Sequence, residues 1–119
     1  MTFRFSVDAH LWVILTDPRI HPEQVVCVNF TTSGDDTCLV KRNEHPGLSH
    51  DSCIGYRFGR FFTLEQLNEF KHSGLLRLEP DPVTPALLKR IRQSAGNALT
   101  MDDEVVDALI SQGHIDLSI

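Results

Sequence analysis

The sequence predicts a small α+β domain: a barrel of about five short β-strands over residues 1–80, one helix inserted near 63–73, and two helices packed behind it over 84–113. Three observations carry this. Runs of β-branched and aromatic residues recur at roughly 12-residue spacing with turn residues between them, as in small barrels and sandwiches. From Thr63 onward the apolar period changes to that of a helix, with a capping signal opening each helical run. The chain has 119 residues, 41% of them hydrophobic, which is enough to bury one core without disulfides or metal.

The first strand is expected over His10-Leu-Trp-Val-Ile-Leu15 and is closed by Thr16-Asp-Pro18. Val25-Val-Cys-Val-Asn-Phe30 repeats the pattern, and Thr31-Thr-Ser-Gly-Asp-Asp36 supplies a turn. Thr37-Cys-Leu-Val-Lys41 is the third strand, broken by Pro46 and Gly47. The fourth is Ser52-Cys-Ile-Gly-Tyr-Arg-Phe58, where Gly55 predicts a bulge or tight bend. Thr63 and Gln66 have capping-box spacing, Leu64, Leu67 and Phe70 share one helical face, and Gly74 stands where a helix-ending glycine belongs. Leu75-Leu-Arg-Leu78 is a short fifth strand. Thr84 before Pro85 opens a helix to about Ala95 whose stripe is Leu87, Leu88, Ile91 and Ala95. Thr100 with Asp103 opens the last helix, whose inward residues are Val105, Val106, Leu109 and Ile110, and Gly113 closes it.

The net charge is −5, and the acidic excess lies in the second half. Such a chain has no global field for nucleic acid, so any RNA contact requires a local patch. No stretch approaches the apolar length of a membrane span, and Asp8 and His10 interrupt the N-terminal run that a signal peptide would need, so a cytoplasmic protein without membrane contact is expected. Cys27, Cys38 and Cys53 are odd in number, show no paired spacing and sit among aliphatic residues, which reads as buried free thiols.

The segment Glu44-His-Pro-Gly-Leu-Ser-His-Asp-Ser52 gathers two imidazoles, carboxylates and hydroxyls around a Pro-Gly turn. His45, His50 and the earlier His10 are candidates for acid/base work, with Asp51 orienting an imidazole and Ser52 donating to developing negative charge. Turn chemistry accounts for the same residues, with His45 capping and Asp51 and Ser52 satisfying backbone amides. A metal reading of His45, His50 and Cys53 lacks a fourth ligand, so no metal or other cofactor is expected. Serine-hydrolase and phosphate-loop motifs are absent from the sequence. Lys41, Arg42, Arg57 and Arg60 beside Tyr56 and Phe58 suit single-stranded nucleic acid, although charges that blunt a sheet edge explain them equally well.

Val28-Asn-Phe-Thr-Thr-Ser33 and Lys41-Arg-Asn-Glu-His-Pro-Gly-Leu-Ser-His-Asp-Ser52, with the spacing of His10-Leu-Trp-Val-Ile-Leu-Thr-Asp-Pro18, resemble the PemK/MazF-like toxin superfamily over roughly residues 8–79. The resemblance implies an SH3-like barrel and a metal-independent endoribonuclease that cuts single-stranded RNA. It also implies neutralisation by an antitoxin protein and, in many members, a homodimer. Thr31, Thr32 and Ser33 would occupy the family's hydroxyl position beside the scissile phosphate. His10, His45 or His50 would serve as base or acid, and Lys41 or Arg42 as phosphate donor. Where the family carries an arginine near its first strands this chain has His10-Leu-Trp12, and Arg19 in the following loop is the substitute that would bind substrate. The alternative is a non-catalytic SH3-like module whose groove holds a protein or nucleic-acid partner.

Overall fold

The computed structural model describes residues 2–6, 10–17, 19–20, 23–33, 36–97 and 103–112. In chain order the elements are β1 (Thr2–Phe5), β2 (Leu11–Ile14), β3 (Val25–Thr31), β4 (Leu39–Val40), a 3₁₀ turn at Arg42–Glu44, β5 (Ser52–Phe62), α1 (Leu64–His72), β6 (Leu76–Leu78), α2 (Pro85–Ser94), a 3₁₀ turn at Ala95–Asn97, and α3 (Asp103–Ser111). The strands form one six-stranded sheet in the order β4-β5-β3-β2-β1-β6, and every neighbouring pair is antiparallel.

The expected SH3-like barrel of about five strands is therefore corrected to an open sheet. β4 and β6 are its two edges and do not pair with each other among the described residues. The reason lies in how the strands are buried. Leu11, Val13 and Leu15 join one hydrophobic cluster, while Trp12 and Ile14 between them join another on the opposite face. β3 divides in the same way, with Val26, Val28 and Phe30 against Val25 and Cys27. A sheet covered on both faces reads as a continuous apolar run, whereas a strand with one wet face alternates. Both apolar runs in this sequence were of the continuous kind, so helices had to cover each face.

One face packs against α2 and α3 through Leu87, Ile91, Ala95, Val105 and Leu109. The Tyr56 hydroxyl, buried on this side, donates to the Ile91 carbonyl at 2.8 Å, and the Arg92 Nε donates to the Leu15 carbonyl, so α2 is bonded to β5 and to the residue that follows β2. The other face is covered by α1 through Leu67, with Phe3, Phe5, Trp12, Phe62 and Phe70 in mutual ring contact.

The helix starts follow the caps in the sequence. Gln66 N–H donates to Thr63 Oγ1 at 3.0 Å while Thr63 N–H donates to Gln66 Oε1 at 2.9 Å, and Leu87 N–H donates to Thr84 Oγ1 at 3.2 Å. Gly74 has φ +81°, the left-handed conformation that ends α1. The capping signal at Thr100 and the tail after Gln112 lie outside the described residues.

Gly55 opens an irregularity in β5, as expected. Cys27 faces Arg60 and Asn29 faces Gly55, so Val28 alone on β3 spans residues 56–59 of β5. A β-carbon at Gly55 would stand 2.2 Å from Asn29 Oδ1 and 2.8 Å from Phe58 Cδ2, so any larger residue would force both side chains to move. β1 was not foreseen from the sequence, and β4 is shorter than the expected strand over 37–41.

Candidate functional site

Antiparallel pairing brings the ends of β1 and β3 and the starts of β2 and β5 to the same end of the sheet. A cleft of about 260 Å³ opens there. Leu11 and Phe30, both almost wholly buried, form its floor. The strands contribute Arg4, Thr31 and Ser52, His10 and Thr32 flank β2 and β3, and the loop before β5 adds Gly47, Leu48, Ser49 and His50 as a further wall.

Each polar side chain is placed by local chemistry. Arg4 faces Leu11 across the β1–β2 pair. Its Nη2 donates to the Gly47 carbonyl and its Nε pairs with Glu79 Oε1 at 3.1 Å, so β1 holds the loop and brings a guanidinium, balanced by Glu79, to the cleft wall. Thr31 is buried at the end of β3, where Ser33 N–H donates to its Oγ1 at 3.2 Å and the two hydroxyls lie 3.0 Å apart. Thr32 is exposed. His50 is exposed, its Nε2 lies 3.2 Å from Ser49 Oγ, and Ser52 Oγ donates to the His50 carbonyl at 3.2 Å.

A second cleft, about 370 Å³, adjoins the first and shares Thr32 and Ser52 with it. Leu39, Val40 and Cys53 give it apolar walls, and Asp36, Asp51 and Lys41 supply charge. Asp51 Oδ1 accepts the Arg42 amide at 2.9 Å, and Lys41 N–H donates to Glu44 Oε2 at 2.8 Å. Arg90 on α2 grips both Glu44 oxygens at 2.8 and 2.9 Å, and its guanidinium, with the Lys41 amide, holds the Glu44 carboxyl below the usual carboxylate range.

Of the residues singled out from sequence, His10, Thr31, Thr32, His50 and Ser52 meet in the first cleft, and Lys41 and Asp51 meet in the second. The others stand elsewhere. His45 is only 2% exposed; its Nε2–H donates to the Asp81 carbonyl at 2.7 Å and its Nδ1 accepts the Gly47 amide at 2.9 Å. Both ring nitrogens are used by the fold, which fixes a neutral tautomer and removes His45 from proton transfer in this conformation. The Tyr56 hydroxyl is committed to α2, so its ring offers no stacking face for a base. Arg19 is exposed and forks onto Asp17 at 3.0 and 3.1 Å, which holds the Asp17 carboxyl below its usual range. Arg19 lines neither cleft, and Arg42 enters the arrangement through its backbone amide alone.

Arg4 was missed by sequence reading. Its signal was its place between Phe3 and Phe5, the one charged residue in an alternating run that pairs with the first predicted strand. Among the described residues no group of three or more His, Cys, Asp or Glu side chains is arranged to hold a metal ion. Cys53, part of the metal reading, donates its thiol to the Thr31 carbonyl at 3.1 Å. Burial pushes the Cys27 thiol up, as expected for a core residue.

The first cleft therefore combines two imidazoles, four hydroxyls and a guanidinium, a set able to move protons and to stabilise an anion. Comparison of the chain with protein-family models, with curated proteins and with solved structures gives no match.

Proposed function

We propose that the chain is a metal-independent endoribonuclease acting on single-stranded RNA in the first cleft. The observation that carries this reading is the convergence of His10 and His50 with Arg4, Thr31, Thr32 and Ser52 on one apolar floor. RNA brings its own nucleophile, so the protein has to supply a base, an acid and donors for the phosphate. One of the two imidazoles takes the proton of the 2′-hydroxyl, whose oxygen attacks phosphorus. The other gives a proton to the departing 5′-oxygen, leaving a 2′,3′-cyclic phosphate and a 5′-hydroxyl. Arg4 and the hydroxyls would donate to the charge that builds on the phosphate oxygens.

Further support comes from where the family-like segments fall. Residues 28–33 and 41–52, which carry the resemblance to PemK/MazF-like toxins, supply two of the walls.

The test is incubation of purified protein with mixed single-stranded RNA in the presence of a chelator. Cleavage that yields cyclic phosphate ends, and that is lost on a substrate with a 2′-deoxyribose at the cut site, is the expected result. A folded protein that leaves RNA intact at every pH between 5 and 9 would instead make the cleft a non-catalytic binding groove.

A further inference from the structure

We infer that the second cleft is a nucleobase subsite, and that it takes guanine from the nucleotide adjoining the cut. The inference rests on the ribonuclease reading for its substrate, and on four observations for its chemistry. The two clefts share Thr32 and Ser52, so an RNA strand leaving the first passes directly into the second. The second carries the charges of Asp36, Asp51 and Lys41, which together are net negative. A phosphate is disfavoured there, and the neutral part of a nucleotide is left as the occupant.

Leu39 is a large apolar side chain left 64% exposed, and with Val40 and Cys53 it provides a surface for the flat face of a base. The edge strand that carries it is closed to strand addition. Cys38 O accepts from Ile54 N at 3.0 Å, so the Leu39 carbonyl points away from β5, and Arg90 Nη2 already donates to it at 3.1 Å. An extended peptide looking for backbone partners along β4 meets a guanidinium, which a planar base does not need to displace.

Guanine is the base whose polar edge matches the charges. It sets a carbonyl acceptor beside two adjacent N–H donors, suited to an ammonium and a carboxylate respectively. Lys41 offers the ammonium. Asp51 uses Oδ1 for the Arg42 amide, which leaves Oδ2 to accept, and Asp36 gives a second carboxylate. Uracil has a single N–H between two carbonyls, and adenine has no carbonyl at all.

The experiment is an NMR titration of the wild-type chain with each of the four nucleoside 5′-monophosphates, following the amides of Leu39, Val40 and Cys53. It is run beside cleavage of RNA strands that differ in one base next to the cut. Guanosine monophosphate is expected to bind about tenfold or more tighter than uridine monophosphate, a discrimination typical of one well-matched base edge. In Lys41→Gln and Asp36→Asn, checked for unchanged thermal midpoint, that preference is expected to shrink to about twofold to threefold, since each loses one partner of the base edge. Selective binding without cleavage would uphold the subsite and sink the ribonuclease reading. Equal affinity for all four nucleotides, shifts confined to other amides, or cleavage indifferent to the neighbouring base would overturn the subsite.

Discussion

His45 and His50 stand five residues apart in the segment that joins β4 to β5, and the fold treats them in opposite ways. Residues 41–47 are held from several elements at once. Arg90 of α2 grips Glu44, Arg4 of β1 donates to the Gly47 carbonyl, and His45 reaches the Asp81 carbonyl, which also accepts the Thr2 hydroxyl at 2.7 Å. Residues 48–50 carry local bonds, chiefly between Ser49, His50 and Ser52, and His50 stays exposed. The same residue type is a structural pin where both nitrogens are saturated and, on the proposed ribonuclease reading, a reagent where the ring is left exposed beside a cleft. The first half of the loop supplies the rigidity that positions the second.

The sharpest way to break this comparison is to delete each imidazole. His50→Ala is expected to lower RNA cleavage by about 10²–10⁴-fold, the usual worth of a general acid or base, while leaving unfolding free energy within about 0.5 kcal/mol. Cleavage assays beside chemical denaturation check both halves. His45→Ala should do the reverse, costing about 2–4 kcal/mol because two buried partners lose their bonds and a cavity opens. If His45→Ala kept its denaturation midpoint, the contrast between pin and reagent would collapse.

Two smaller effects sharpen the picture. A β-carbon at Gly47 would stand 3.0 Å from His45 Nδ1 and 3.3 Å from Leu11 Cδ2, closer than the packing allows without movement. Gly47→Ala is therefore expected to cost about 1 kcal/mol by crowding the locked half of the loop, seen as a lower thermal midpoint. The Glu44–Arg90 pair adds a pH dependence. Because the folded carboxyl lies below its unfolded value of about 4.5, the pair's contribution is present above that pH and is lost as pH falls through the folded value. Arg90→Gln should cost about 0.5–1 kcal/mol at pH 7, in the range of a partly exposed ion pair. The gap from wild type should narrow in urea melts as pH is lowered from about 4.5.

How much of this was legible in the sequence follows the range of each signal. The Thr63 and Thr84 caps, Gly74 and the bulge at Gly55 were readable because each is settled within a few residues. The open sheet was not foreseen, although its signal was present in unbroken apolar runs that need cover on both faces. β1 escaped because four residues with an arginine among them make a weak strand signal until β2 and β6 pair with it.

The candidate site divides along the same line. His50, Ser52 and the hydroxyls after β3 could be named from their turn, but nothing local separates His45 from His50. His45 is decided by Asp81, 36 positions along the chain, and Arg4 reaches the cleft through Gly47, 43 positions away. Partners at that distance are fixed by strand register, which the residue pattern alone does not reveal.

The bond from the Gly47 amide to the buried ring of His45 has a consequence for deuterium exchange. A loop amide ordinarily trades its proton with water quickly, whereas this one opens only when the imidazole leaves its seat between Gly47 and Asp81. Gly47 should therefore exchange on the slow schedule of the neighbouring strands, while Ser49 and His50 exchange with the fast surface. To heavy water the border of the sheet would run through the middle of a loop, between two histidines that sequence cannot tell apart.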